Sequence, residues 1–137
     1  MLQTKRIYLP KPNNNNEYVT YENQLQPRYV FDDKKSENIY HAHEDEIMEV
    51  VEKEITDYVN CEDLCSDEEG MFPQPKFMTG EWYLRGVFFK DDYLSIPVAF
   101  LGTDLGYPDD YLGLEATFTY HAENNQFSFD GINSESL

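Results

Sequence analysis

The sequence predicts an α+β fold, an antiparallel β-sheet of about four to six short strands packed against one main acidic amphipathic helix. Three observations carry this. Ile47, Val51, Ile55 and Tyr58 or Val59 recur at helical spacing, with acids at the complementary positions. Residues 81–101 hold two apolar, β-branched and aromatic runs around a polar turn, a hairpin pattern. Leu114, Ala116, Phe118 and Tyr120 alternate with Glu115, Thr117 and Thr119, the period of a half-buried strand.

The elements follow in chain order. Arg6–Leu9 is a short strand candidate closed by Pro10, and Lys11–Glu17, with Pro12 and Asn13–Asn16, reads as a mobile loop. Tyr18–Tyr21 and Arg28–Phe31 have strand composition, and Asp32–Ser36 is a charged turn. The helix is expected to start as early as Ser36, an acceptable N-cap, and to fade near Asn60. Glu44, Asp45 and Glu46 suit the positive end of its dipole. Cys61–Gly70 is an acidic connector, and Pro73 and Pro75 keep the next stretch extended. Glu81–Phe89 and Leu94–Leu101 flank the turn at Lys90–Tyr93. Because Pro97 cannot donate to a ladder, the second of these strands is expected at an edge or bulged. Gly102–Gly113 is a long acidic loop. The turn at Asn124 and Asn125 lets Phe127 and Phe129 pair back on the preceding strand, and residues 131–137 are expected to fray. Length fits one acidic domain over residues 1–137.

Charge is the strongest feature of the composition. The chain has 27 Asp and Glu against 10 Lys and Arg, a net charge of −17. Residues 1–36 carry +2, residues 37–69 carry −12 and residues 70–137 carry −7. Such a charge with few apolar residues would signal disorder, but 11 Tyr, 9 Phe and 1 Trp in periodic runs argue for a folded core. No run of apolar residues is long enough for a membrane span, and the first twelve residues lack the apolar segment of a secretory signal. Two cysteines, Cys61 and Cys65, make no disulfide framework, so cytoplasmic residence is the expectation.

A concentrated anionic band costs self-repulsion in the compact state, and a cationic partner surface would relieve it. The helix carries Glu44, Asp45, Glu46, Glu49, Glu52, Glu54 and Asp57, with Lys53 nearly alone among them. Solvated helix faces ordinarily mix signs, because i, i+4 pairs of opposite charge support the helix. The bias continues into Glu62 and Asp63 and returns at Asp104, Asp109 and Asp110. Tyr58, Tyr107 and Tyr111 sit close by in sequence. Tyrosine beside charge is the composition of a recognition surface. These fifteen residues form the expected partner-binding set. The implied partner is a basic protein, a nucleic-acid-binding protein or nuclease complex whose groove the acidic surface occupies in place of DNA or RNA. Small size, acidity and aromatic content are the general character of DNA-mimic inhibitors encoded by phages and mobile elements, although no motif ties the chain to a family.

Other chemistries are weaker. An acidic regulatory or adaptor protein with a basic partner is one alternative, and a divalent-cation-binding domain is another. The loop 102–113 has carboxylates among glycines, as hard cations require, but lacks EF-hand spacing. His41 and His43 lie two apart and on a helix point to different sides, and Cys61 and Cys65 lack a second ligand pair, so no metal or cofactor is expected. No Gly-x-Ser-x-Gly, P-loop, dinucleotide or His-Glu-x-x-His motif occurs, and no catalysis is expected. Direct nucleic-acid binding is disfavoured, because −17 repels phosphate.

Overall fold

A computed structural model describes residues 2–8, 27–61, 77–103 and 110–135. They form seven strands and one helix in the order β1 (Lys5–Arg6), β2 (Arg28–Phe31), α1 (Lys34–Val59), β3 (Met78–Leu84), β4 (Gly86–Lys90), β5 (Tyr93–Gly102), β6 (Asp110–His121) and β7 (Gln126–Glu135). The fold is α+β, with all seven strands in one sheet. The expected loop at 11–17, the strand at Tyr18–Tyr21, most of the acidic connector and residues 104–109 lie outside the described residues.

The sheet is mixed rather than antiparallel, and it has more strands than expected. β3–β5, β4–β5, β5–β6 and β6–β7 pair antiparallel, but β1 lies parallel to β3, and β2 lies parallel to β4. The reason is a break in what the sequence presents as one continuous apolar run. Residues 81–89 do not make a single strand; the chain interrupts at Arg85, leaving β3 and β4 end to end along one side of β5. Each half then takes its own short partner on its outer side, β1 on β3 and β2 on β4.

Pro97 explains the position of the break. β5 is a central strand, not an edge, with β3 and β4 on one side and β6 on the other. The Pro97 carbonyl accepts from the Arg85 amide at 2.9 Å. The N and C=O of one strand residue point to the same side, so the missing N–H of Pro97 faces the gap at Arg85, where no ladder donor is needed.

The β4–β5 hairpin closes through Asp91 and Asp92, at φ 51° and 63°. Two positive φ values define the turn whose twist matches the flanking strands, and Asp tolerates them better than most residues. The turn is held by Asp32, whose Oδ2 accepts from the Asp91 amide at 2.8 Å. β7 pairs with β6 from Gln126 through Glu135, so most of the segment expected to fray is strand. Between Thr117 and Phe118 the register shifts and Asp130 is the extra residue, a bulge in the middle of β7.

α1 begins at Lys34 because Asp33, not Ser36, caps it: Asp33 Oδ1 accepts from the Ser36 amide at 2.8 Å. That hydrogen bond holds the Asp33 carboxyl below its ordinary pKa. Tyr40, Ile47, Val51, Ile55 and Val59 are the buried residues of α1 and pack with Trp82, Phe89, Leu94, Ile96, Phe100 and Phe118 in the main core. Each such side chain contributes about 1.5–3 kcal/mol on burial. The other sheet face holds a smaller cluster of Tyr83, Ala99, Leu101 and Ile7. Beside it runs a polar ladder in which Glu115 accepts from Ser95 Oγ at 2.6 Å and from Asn133 Nδ2 at 3.3 Å.

Candidate functional site

The helix distributes its acids unevenly around its axis. Asp45, Glu46, Glu49, Glu52 and Asp57 are exposed, whereas Glu44 and Glu54 are half-buried on the flanks of the core-facing side. Lys53 reaches Asp57 at 3.1 Å and Glu54 at 3.5 Å, and these carboxylates raise its pKa. Asp45, Glu49 and Glu52 make no ion pair among the described residues. Asp45 and Glu49 are i, i+4 neighbours and Glu49 and Glu52 are i, i+3 neighbours. Like charges at these spacings destabilise a helix by about 0.2–0.5 kcal/mol per pair. The last turn also has no basic residue to complement the dipole. Helix stability therefore does not explain this charge pattern.

Glu49, Glu52 and Asp57 come together along one open groove of about 410 Å³, with Lys53 and Thr56 on the helix and Gln3 and Thr4 opposite. The groove exists because the segment before β1 is tied to the end of α1. Asn60 Oδ1 accepts from the Leu2 amide at 2.7 Å, Asn60 Nδ2 donates to the Leu2 carbonyl at 3.0 Å, and the Thr4 and Thr56 hydroxyls are hydrogen-bonded. Glu46 lies apart, with His43 Nδ1 3.7 Å from its carboxylate and His43 Nε2 3.4 Å from Asn125 Oδ1.

A second cleft, of about 270 Å³, lies where β1 and β2 approach α1. It is lined by Arg6, Tyr8, Pro27, Tyr29, Tyr40, Glu44, Asp45, Met48 and Leu84. Its charges are divided: Arg6 on the sheet edge, Glu44 and Asp45 on the helix. The Arg6 guanidinium lies 4.9 Å from the centre of the Tyr8 ring, and its Nε is buried without a hydrogen-bond partner among the described residues. Tyr40 is fully buried, and its hydroxyl lies beside Glu44 without a hydrogen bond of good geometry. Burial and then the Glu44 charge push the Tyr40 phenol far above its usual pKa, and the same two causes raise Tyr29. One oxygen of Glu44 is 3.4 Å from His41 Nδ1.

The remaining expected partner residues are placed differently. Tyr58 and Tyr111 are half-buried and pack against the main core rather than among the exposed acids. Tyr111 has Phe77 as ring neighbour at 6.2 Å. Asp110 opens β6 opposite Leu101, and nothing of its side chain is described. Glu62, Asp63, Asp104, Tyr107 and Asp109 lie outside the described residues. Sequence reasoning missed Arg6, Tyr8, Tyr29 and Tyr40. The signal for one contact was present, since Tyr40 and Glu44 are four apart on a helix. The sheet edge that brings Arg6 and Tyr29 to them has no local signature.

Among the described residues no helix is long and apolar enough to cross a membrane. No protein-family model, no curated protein and no solved structure matches the chain.

Proposed function

We propose that this chain is a small, non-catalytic inhibitor that uses an acidic amphipathic helix to occupy the nucleic-acid groove of a basic protein. It acts in the cytoplasm as a DNA or RNA mimic, and its origin in a phage or mobile element directed against a host nuclease complex fits that role. The observation that carries the reading is the exposed arc of α1. Asp45, Glu46, Glu49, Glu52 and Asp57 share it with the single base Lys53. These five carboxylates span about 18 Å at about 1.5 Å per residue. That is one per roughly 4–5 Å, somewhat sparser than the 3.4 Å per phosphate of a single DNA strand. A groove shaped for phosphates presents Arg and Lys at spacings that such an arc can meet. The like-charge strain within the helix is relieved when it does.

The test is capture from host lysate on the tagged protein, with elution by salt and by competing duplex DNA. A nucleic-acid-binding protein released by both supports the reading. A partner that resists salt and ignores DNA, or equal capture by a Glu49→Lys/Glu52→Lys variant, overturns it.

A further inference from the structure

β7 ends the sheet. Its ten residues pair with β6 on one side, and no strand among the described residues pairs with the other. We propose that this edge binds a basic, extended segment of a partner protein by strand addition, the segment alternating aliphatic and cationic side chains.

The backbone supplies the first part of the fit. The Tyr120 amide donates to the Asp92 carbonyl at 2.8 Å, so the main-chain groups of Tyr120 face β5 and those of Thr119 and His121 face β7. Ser128 and Gln126, their partners in register, turn their own N–H and C=O inward. The N–H and C=O of Phe127 and Phe129 therefore point away from the sheet, as an incoming strand requires. Open edges are ordinarily blunted by Lys, Pro or bulges. β7 has neither Lys nor Pro, and its bulge at Asp130 follows this pair.

The side chains supply the second part. On the helix side of the edge, Phe127, Phe129 and Ile132 are only half-buried at the margin of the main core. Between β7 and α1 lies a hollow of about 160 Å³, lined by Ile47, Val50, Phe118 and Phe127, with Glu46 beside them. A cavity of about 150 Å³ admits benzene, so this one has room for an aliphatic side chain of an added strand.

Charge decides the rest. No Lys or Arg follows Lys90, whereas residues 91–137 hold nine acids. On the β6–β7 hairpin Glu123 and Asp130 are exposed. Asp130 accepts from Thr119 Oγ1 at 2.7 Å, on the face away from the core. Side chains alternate between the faces of a strand. Aliphatic residues of the added strand thus enter on the helix side, while cationic ones meet Glu123 and Asp130 on the other. A second copy of this chain is the wrong occupant, because it brings a net charge of −17 and the same acidic hairpin against the edge. Only Glu46 belongs both to this surface and to the exposed arc of α1, so strand addition does not rest on nucleic-acid mimicry.

The probe is a labelled, end-blocked peptide of alternating Lys and Val, long enough to span Gln126–Asp130. It is titrated into the full chain by fluorescence polarisation, with amide hydrogen exchange read by NMR. Binding is expected, with new protection at the Phe127 and Phe129 amides, and an alternating Glu–Val peptide is expected not to bind. N-methylation of alternate peptide residues removes the donors along one of its edges. Methylating one set is expected to abolish binding and methylating the other to spare it. Glu123→Lys/Asp130→Lys is expected to weaken binding about 10-fold. Glu49→Lys/Glu52→Lys changes the net charge equally and is expected to weaken it far less. No binding at millimolar peptide, equal binding of the Glu–Val peptide, equal affinity of the two methylated peptides, protection confined to α1, or equal weakening by the two variants overturns the proposal. Capture of a nucleic-acid-binding protein by α1 is unaffected by either result.

Discussion

Tyr40 shows how a single side chain divides its contributions. Its ring is fully buried in the core, while its hydroxyl, beside Glu44, has no well-made hydrogen bond among the described residues. Ring burial stabilises, and the stranded hydroxyl destabilises. Tyr40→Phe is therefore expected to raise unfolding stability by about 1 kcal/mol in urea denaturation; a loss of stability would show that the hydroxyl is better satisfied than the geometry indicates. Gly80 is a stricter case. It has φ 89°, and a Cβ there would lie 2.1 Å from the Gln3 carbonyl oxygen. Gly80→Ala must displace the segment that forms one wall of the acidic groove, and the expected loss exceeds about 2 kcal/mol. A urea midpoint unchanged from the parent would refute this. At Asp33 the sign of the pH effect follows from a folded pKa held below the ordinary 3.8 by the Ser36 amide. The stability this carboxylate adds is fully present above the unfolded pKa and is lost as pH falls through the lower folded value. Asp33→Asn keeps a capping oxygen but no titration, so the mutant is expected to lose less stability than the parent on acidification below about pH 4. Parallel acid profiles would contradict the assignment.

At the scale of elements, α1 sets stability against the proposed recognition. Its inner stripe was readable from spacing alone, because Ile47, Val51 and Ile55 need only the helical period to meet one core. Ile55→Ala, at a site with no exposure, is expected to cost about 2–5 kcal/mol. On the outer face the expectation reverses. Glu49→Gln removes like-charge contacts to Asp45 and Glu52 and is expected to raise the melting temperature slightly while weakening salt-sensitive partner capture. A variant that loses both stability and capture would point to a structural role for Glu49. The strands were less legible. β2, the β4–β5 turn and the β6–β7 return are local patterns, and the sequence located them closely. The division of residues 81–89 at Arg85 is not local: it is imposed by Pro97 on the neighbouring strand. The parallel strands β1 and β2 were equally hidden, since two- and four-residue strands carry too little pattern to reveal their partners. The same non-local pairing places Arg6 and Tyr29 beside Glu44, which is why the second cleft could not be read in advance.

For the whole molecule, the net charge of −17 dominates. Self-repulsion falls when ions screen it or protons neutralise it. The melting temperature is therefore expected to rise between 50 and 500 mM sodium chloride, and again as pH is lowered from neutrality toward about 5, above the range where the Asp33 cap fails. A profile flat in both variables would mean that the carboxylates are spread too thinly to repel one another. Charge at this scale was fully legible in the sequence; which carboxylates share a groove was not, because that depends on the tie between Asn60 and Leu2.

The two short parallel strands have a consequence for the order in which the protein is made. Lys5 finds its partner in Glu81, and Arg28 finds its partner in Gly86. During synthesis both strands leave the ribosome long before the surface they dock on exists, whereas β4 with β5 and β6 with β7 are joined by tight turns and can pair as soon as they emerge. β1 and β2, made before the strands they pair with, are thus among the last to settle. Both clefts depend on β1 and its flanks, one on Gln3 and Thr4, the other on Arg6 and Tyr8. A nascent chain stalled before β3 would display the carboxylates of α1 without either cleft, so both surfaces wait for strands made after the helix.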